Sequence, residues 1–326
     1  MNYKETRKIT VKGPLAIVNT GGGAAGSDQA GGLAALAQIG IIEQTSLISA
    51  TSVGGINAVL SAIYAADHKA LTRLWEQVNK NRDIYKGDVN GPAAVFSLLF
   101  GGESIVDPAP LYKLINDAFG NLTLEDVYKK NKIHLILTGH DLNTGRGELY
   151  TTFDETKTFK AADVVKRTSA IPGLFKVIES KDPGDVFPHA HCDGGIFANN
   201  PLLTIIKYNE TTPEPIKKVI IMFCRPDLDR MPINKASYKK WGPAVLRAAE
   251  GALINQELTA ELFIESQTQT GALDVLAIYP EENPCDILDF TKTKANLQNG
   301  YNRVVAGLGY SYKDRAIINI ADFLRR

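Results

Sequence analysis

SLISATSVGGINAVL, residues Ser46–Leu60, changes character twice along its length. Leu47 and Ile48 open a short apolar run, Ala50-Thr51-Ser52-Val53-Gly54-Gly55 turns the chain, and an Ala/Val/Leu/Ile-rich segment of helical character follows. The stretch therefore reads as strand, sharp turn and helix, with the hydroxyl of Ser52 at the turn. A strained turn that presents a serine needs small residues on both sides, because larger side chains clash with the crossing backbone. The pattern here is AxSxGG, with Ala50 at the first small position and Gly54 supporting the turn from the other side. A helix starting at about Val53 puts unpaired N–H groups and the positive dipole end beside Ser52, which favours negative charge developing there. The plain alternative is a strand-to-helix turn in which Ser52 is only an N-cap.

Upstream, Leu15 to Asn19 (LAIVN) is a buried-strand candidate that runs into Thr20-Gly21-Gly22-Gly23-Ala24-Ala25-Gly26. Consecutive glycines free the backbone to turn its N–H groups inward as an anion-binding nest, and the apolar-periodic run Gln29 to Ile39 supplies a helix behind it. Gly21, Gly23 and Gly26 also fit the GxGxxG spacing of a dinucleotide site, which would make the chain an NAD(P)-dependent oxidoreductase. That site wants an acidic residue closing the second strand, whereas Glu43 precedes the strand and Ser52 ends it. The other functional reading makes the loop an oxyanion hole, partner to the Ser52 turn, because ends of adjacent parallel strands share one edge of a sheet. A tight connection without function is the plain alternative.

Downstream, Asp193-Gly194-Gly195 places a carboxylate on a backbone able to approach another loop closely, although Asp-Gly-Gly also suits a hairpin turn. Asn199-Asn200-Pro201 then offers a cap and a first-turn proline for a helix to Lys207. Ile133 to Thr138 and Glu148 to Phe153, joined through Asn143-Thr144-Gly145, form a hairpin candidate, and Phe175 to Ile178 an extended run. Val219 to Phe223 and Val275 to Ile278 are further strands around a helical region from Pro243 to about Thr268. Ile56 to Ala66, Ala70 to Val78, Leu111 to Phe119, Leu124 to Lys130 and Ala161 to Arg167 read as helices, as do Lys294 to Leu308 and Asp314 to Leu324 at the end. Ala93 to Phe100 is either core or a groove for an acyl chain or bilayer surface. His68, at the break between two helices, reads as a solvated capping or loop histidine, and His134 and His140, with no evident carboxylate or metal-spacing partner, read as structural.

At 326 residues and 44% hydrophobic, the chain can bury a substantial core. Lys+Arg and Asp+Glu are both 36, so no global field points to nucleic acid or an anionic membrane. Cys192, Cys224 and Cys285 are far apart with no CxxC, which argues against a disulfide framework or a zinc site and suits a reducing compartment. The charged start MNYKETRKITVKG lacks an apolar signal region, and no stretch approaches membrane-spanning length, so a cytoplasmic protein is expected. Residues 1–12 read as an N-terminal arm and 13–326 as one domain, its motifs within about 15–205 and the part 206–326 completing the sheet and helical layers.

Together, TGGGAAG at 20–26, ATSVGGINA at 50–58, TSAIPGLF at 168–175 and DGGIFANNP at 193–201 resemble the patatin-like phospholipase family in order and spacing. The resemblance implies a three-layer α/β/α sandwich with a mainly parallel central sheet and a Ser-Asp dyad, without a metal or other cofactor. It assigns Ser52 as nucleophile, Asp193 as base and Gly21, Gly22 and Gly23 as the oxyanion-hole loop, with Gly194 and Gly195 supporting the base. Its substrates are acyl esters of phospholipids and related lipids, reached through transient membrane-surface contact, and nucleic acid is not a partner. The sequence departs from the family at Ala25, where a basic residue is usual, and at Ala50. A non-catalytic lipid-binding protein of the same fold would explain both departures. A Ser-Asp-His triad of α/β-hydrolase type would use His189 or His191 as base, but in the α/β-hydrolase fold several strands precede the serine and the histidine comes late. Here one strand precedes Ser46, and His191 is the last histidine of the chain.

Overall fold

In the computed structural model the described residues are 1–88, 103–226, 241–282 and 284–326, without the side chains of 241–254; the apolar run Ala93–Phe100 lies outside them. Ten strands join in one sheet: β1 Leu15–Asn19, β2 Leu47–Ala50, β3 His134–Asp141, β4 Arg146–Thr151, β5 Ile178–Ser180, β6 His189–Asp193, β7 Lys218–Met222, β8 Asp274–Ile278, β9 Leu308–Ser311 and β10 Ala316–Asn319. Their order is β10-β9-β8-β7-β1-β2-β3-β6-β5, with β4 pairing β3 off this path. The five central strands, β8-β7-β1-β2-β3, are parallel. Both edges are antiparallel.

β1 and β2 form because their residues are apolar or small without interruption, as strands covered on both faces require. Alternation then divides the core. Leu15, Ile17, Ile48, Ala50, Ile220 and Met222 face one apolar cluster, and Ala16, Val18, Leu47, Val219 and Ile221 face the other. The first cluster lies under helices α1 (Gly26–Gln38), α2 (Val53–Ile63) and α3 (His68–Glu76) and the helix Thr293–Val305. Residues of Thr204–Asn209 and of the long helix Trp241–Gln269 join the second. The result is a three-layer α/β/α sandwich with a mostly parallel central sheet.

α1 owes its place to small residues. A Cβ on Gly31 would stand 1.9 Å from the carbonyl oxygen of Leu297, and one on Gly300 would stand 1.8 Å from that of Asp28, so α1 and Thr293–Val305 touch backbone to backbone. Buried Asp28 and part-buried Arg303 close the contact as an ion pair. The N-terminal arm runs over the same layer, with the amides of Lys4, Ile9 and Lys12 donating to Tyr301 Oη, the Ile39 carbonyl and the Leu324 carbonyl.

Two expectations need correction. Asp314–Leu324 is not one helix: β9 and β10 form an antiparallel hairpin, and only Ile320–Arg325 is helical. Ile317 and Ile318 suit a strand by their β-branching, and Arg315, at φ 50°, closes the turn between the strands. The Asp-Gly-Gly segment is not a hairpin turn either. Asp193 ends β6, and the chain goes straight into the short helix Gly195–Ala198.

Because β1 has β2 on one side and β7 on the other, the chain leaves β1 in opposite directions before and after β3. Such a switch point opens a crevice beyond the carboxyl ends of the strands, where ligands of open α/β sheets bind. The glycine loop, the Ser52 turn and Cys224 all stand at that end. No helix among the described residues is long and apolar enough to cross a membrane.

Candidate active site

Ser52 is held where few non-glycine residues are found. Its φ of 56° and ψ of −130° belong to a region that L-residues occupy at a cost of about 1–3 kcal/mol, offset only by surrounding structure. The surroundings here are specific. The Ser52 amide donates to Thr168 Oγ1 at 2.9 Å, and the Thr51 hydroxyl lies 2.7 Å from Thr138 Oγ1 and 2.6 Å from the Ala198 carbonyl oxygen. Gly54 has no room for a side chain, since a Cβ would meet the Asn19 carbonyl oxygen at 2.7 Å. The Ser52 hydroxyl makes no capping bond to α2. It donates instead to Asp193 Oδ2, 2.5 Å away.

Asp193 reaches Ser52 because β6 lies against the end of β3, Asp193 opposite Gly139, and because its amide donates to the Ala170 carbonyl at 2.9 Å. A Cβ on Gly194 would fall 2.2 Å from Thr138 Oγ1, and the Gly195 amide donates to Asp193 Oδ1 at 2.7 Å. Both carboxylate oxygens are thus engaged. Burial pushes the carboxyl up to about 6, against the lowering pull of the Ser52 hydroxyl and the Gly195 amide.

The glycine loop borders the same crevice. A Cβ on Gly21 would stand 3.2 Å from Ser52 Cβ, and Gly23 adopts φ 55°, where glycine is at ease. The three amides of this loop are not equivalent. The Gly21 N–H is spent on the Asn199 carbonyl at 3.1 Å, so it cannot serve an oxyanion. Among the described residues the amides of Gly22 and Gly23 have no intramolecular acceptor. Ala25, at the position of the family's basic residue, is buried in the core, and Ala50 is a fully buried strand residue paired with Asn19 and Leu137.

Next to Ser52 opens a narrow, mostly apolar cleft whose walls include Ile56, Trp75, Ile84, Leu111, Phe175 and Phe290. Trp75 is fixed by its indole N–H, which donates to Asn57 Oδ1 at 2.8 Å. Sequence reasoning did not find this cleft, because its lining is gathered from helices and loops scattered between Gly23 and Phe290.

The histidines stand elsewhere. Nδ1 of His189 is 2.8 Å from Asp141 Oδ2, and Nδ1 of His191 is 2.8 Å from Glu148 Oε2. Among the described residues no histidine bonds to Ser52 or Asp193. His134 pairs with Thr152 Oγ1 and stacks on Tyr128. Cys192, Cys224 and Cys285 are free and buried.

A serine turn, a glycine loop and an Asp-Gly-Gly turn meeting at the switch point of an α/β/α sandwich define a class of lipid hydrolases. The sequence profile described as patatin-like phospholipase matches residues 17–206, and the chain belongs to that family. Solved structures similar to it in shape include these two. VipD from Legionella pneumophila is 14% identical, with a TM-score of 0.45 over 97% of this chain and 72% of VipD. Human GIVD cytosolic phospholipase A2 is 9% identical, with a TM-score of 0.48 over 96% of this chain and 60% of the human protein. No curated protein sequence matches the chain.

Proposed function

We propose that the protein is a lipid acyl hydrolase that cleaves carboxylic ester bonds through an acyl-enzyme on Ser52. The observation that carries this reading is the 2.5 Å bond from the Ser52 hydroxyl to Asp193, made by a serine whose backbone is held in a disfavoured conformation. Asp193 takes the hydroxyl proton as Oγ attacks the ester carbonyl, and returns it to the departing alcohol; water, activated by the same carboxylate, then releases the fatty acid. A carboxyl raised to about 6 is a better base than an ordinary aspartate and is still ionised at neutral pH. Negative charge on the carbonyl oxygen is met by the Gly22 and Gly23 amides and by the N-terminus of α2. The apolar lining of the cleft beside Ser52 supports an acyl chain as the group bound there, with phospholipids, lysophospholipids and related membrane lipids as the proposed substrate class.

A fluorophosphonate probe tests the nucleophile, and product analysis on mixed lipid vesicles tests the substrate class. Wild type should be labelled and release free fatty acid, and Ser52→Ala should do neither. Equal labelling of the two proteins would overturn the assignment of Ser52.

A further inference from the structure

The Gly21 amide, lost to the oxyanion, has a structural destination. Its acceptor, the carbonyl of Asn199, belongs to the segment that follows Asp193, and that segment is tied to two neighbouring residues of the helix Trp241–Gln269. The Asn199 amide donates to Gln256 Oε1 at 3.1 Å, and the Asn199 side-chain Nδ2 donates to Glu257 Oε1 at 2.9 Å. Gln256 also returns a bond, its Nε2 donating to the Ile196 carbonyl at 2.8 Å. Asn199 is 6% exposed and Glu257 4% exposed, so water competes little for the bond between them. Gly21 could not approach otherwise, because a Cβ there would stand 2.5 Å from Asn199 Oδ1.

We infer that Glu257 and Gln256 are positioning residues, which hold the Asn199 peptide and, through its carbonyl, the glycine loop beside Ser52. This rests on the proposed hydrolase reading for its effect on rate. Keeping a carboxylate at Glu257 is costly, since burial raises its carboxyl against the opposing influence of Arg225 and of the Asn199 bond. Arg225 is its charged neighbour and Asn199 its hydrogen-bond donor. What Glu257 supplies is an acceptor in a fixed place, and a glutamine would supply one as well. The bond lengths on the Asn199 peptide set where the loop's free amides point, and donors aimed at an oxyanion lose much of their effect when displaced by a fraction of an ångström.

The test compares the full-length wild type with Glu257→Ala, Glu257→Gln and Gln256→Ala by two readouts. One is hydrogen–deuterium exchange in the peptide spanning residues 20–26; the other is steady-state hydrolysis of p-nitrophenyl butyrate, with thermal melts as a control. In Glu257→Ala the loop amides should exchange about tenfold faster, and kcat should fall about ten- to hundredfold while KM stays within about threefold. Glu257→Gln should stay within about threefold of wild type on both, because the acceptor is retained. Gln256→Ala, which removes a partly exposed side chain, should shift both readouts in the same direction by a smaller factor, and carries the test if Glu257→Ala folds poorly. Unchanged exchange and kcat in a folded Glu257→Ala or Gln256→Ala protein would overturn the inference. So would Glu257→Gln as impaired as Glu257→Ala, which would make charge the role and not position. A wild type without turnover would sink the hydrolase reading, while loop exchange would still decide the positioning one.

Discussion

Ser52 Oγ and Asp193 Oδ2 lie 2.5 Å apart across 141 residues of sequence. Neither side chain is placed by its own element alone. β2 ends at the turn that lifts Ser52, and β6 ends where two glycines let Asp193 close on it. Thr138 ties the two, touching the Thr51 hydroxyl and leaving no room for a side chain at Gly194.

Substitution at Ser52 separates chemistry from strain. Ser52→Ala should abolish ester hydrolysis and leave the circular dichroism spectrum and melting temperature near wild type. Ser52→Gly should be equally inactive yet more stable by about 1 kcal/mol, because glycine meets φ 56° and ψ −130° without the steric cost of a Cβ. Equal stability of the two variants in urea would show that the turn is not strained.

Asp193 fixes a pH dependence of rate. Its carboxyl must be ionised to accept a proton, so kcat/KM should rise through about pH 6 and level off above it. Asp193→Asn should be almost as inactive as Ser52→Ala. A rate–pH profile flat from 5 to 8 would exclude this carboxyl as the base.

The same carboxyl predicts a stability change of opposite sense. Its folded pKa is raised above the unfolded value, so ionisation destabilises the fold; the penalty is absent below about pH 4 and complete above about pH 6. A carboxyl moved from 3.8 to about 6 carries about 3 kcal/mol as an upper limit. Asp193→Asn should therefore melt above wild type at pH 8 and lose that advantage at pH 4, a crossover that differential scanning calorimetry would register.

His191→Ala should reduce turnover less than about tenfold, since the imidazole pairs with Glu148 and not with the dyad. Inactivity equal to that of Ser52→Ala, in a folded protein, would favour a histidine base.

Gly22→Val should lower kcat by on the order of 10² or more with little change in KM. The reason is spatial: a Cβ at Gly22 would stand 2.2 Å from Cys224 Cβ. For the smaller Gly22→Ala change, Cys224→Gly in the same chain should restore part of the rate by vacating that space. Full activity in Gly22→Val would remove the loop from the mechanism.

Much of this site was legible because its parts are local. LAIVN and LISA are apolar runs stopped by glycine or by the serine turn, and Asp193 is marked by the two glycines after it. Long-range partners leave no such mark. Nothing around Glu257 distinguishes it from any other acid on a helix, and the bond that matters spans 58 residues. The bond of the Gly21 amide is unmarked for the same reason, its acceptor being a distant carbonyl. At the C-terminus, Asp314 to Leu324 reads as a helix, yet its first half is a hairpin strand: Ile317 pairs with Tyr310 of β9, and it is β9 that β8, from farther upstream, holds in the sheet.

The strand order also has a consequence for synthesis. β1 is made first, yet its two neighbours, β2 and β7, come from the first and last thirds of the polypeptide. A ribosome-bound chain can therefore bring the hydroxyl and the carboxylate together only after residue 193 has emerged, and cannot wall the crevice on its far side until β7 follows. Hydrolytic power should thus be withheld from unfinished chains, and the exposed flank of β1 is the surface that a chaperone would need to shield meanwhile.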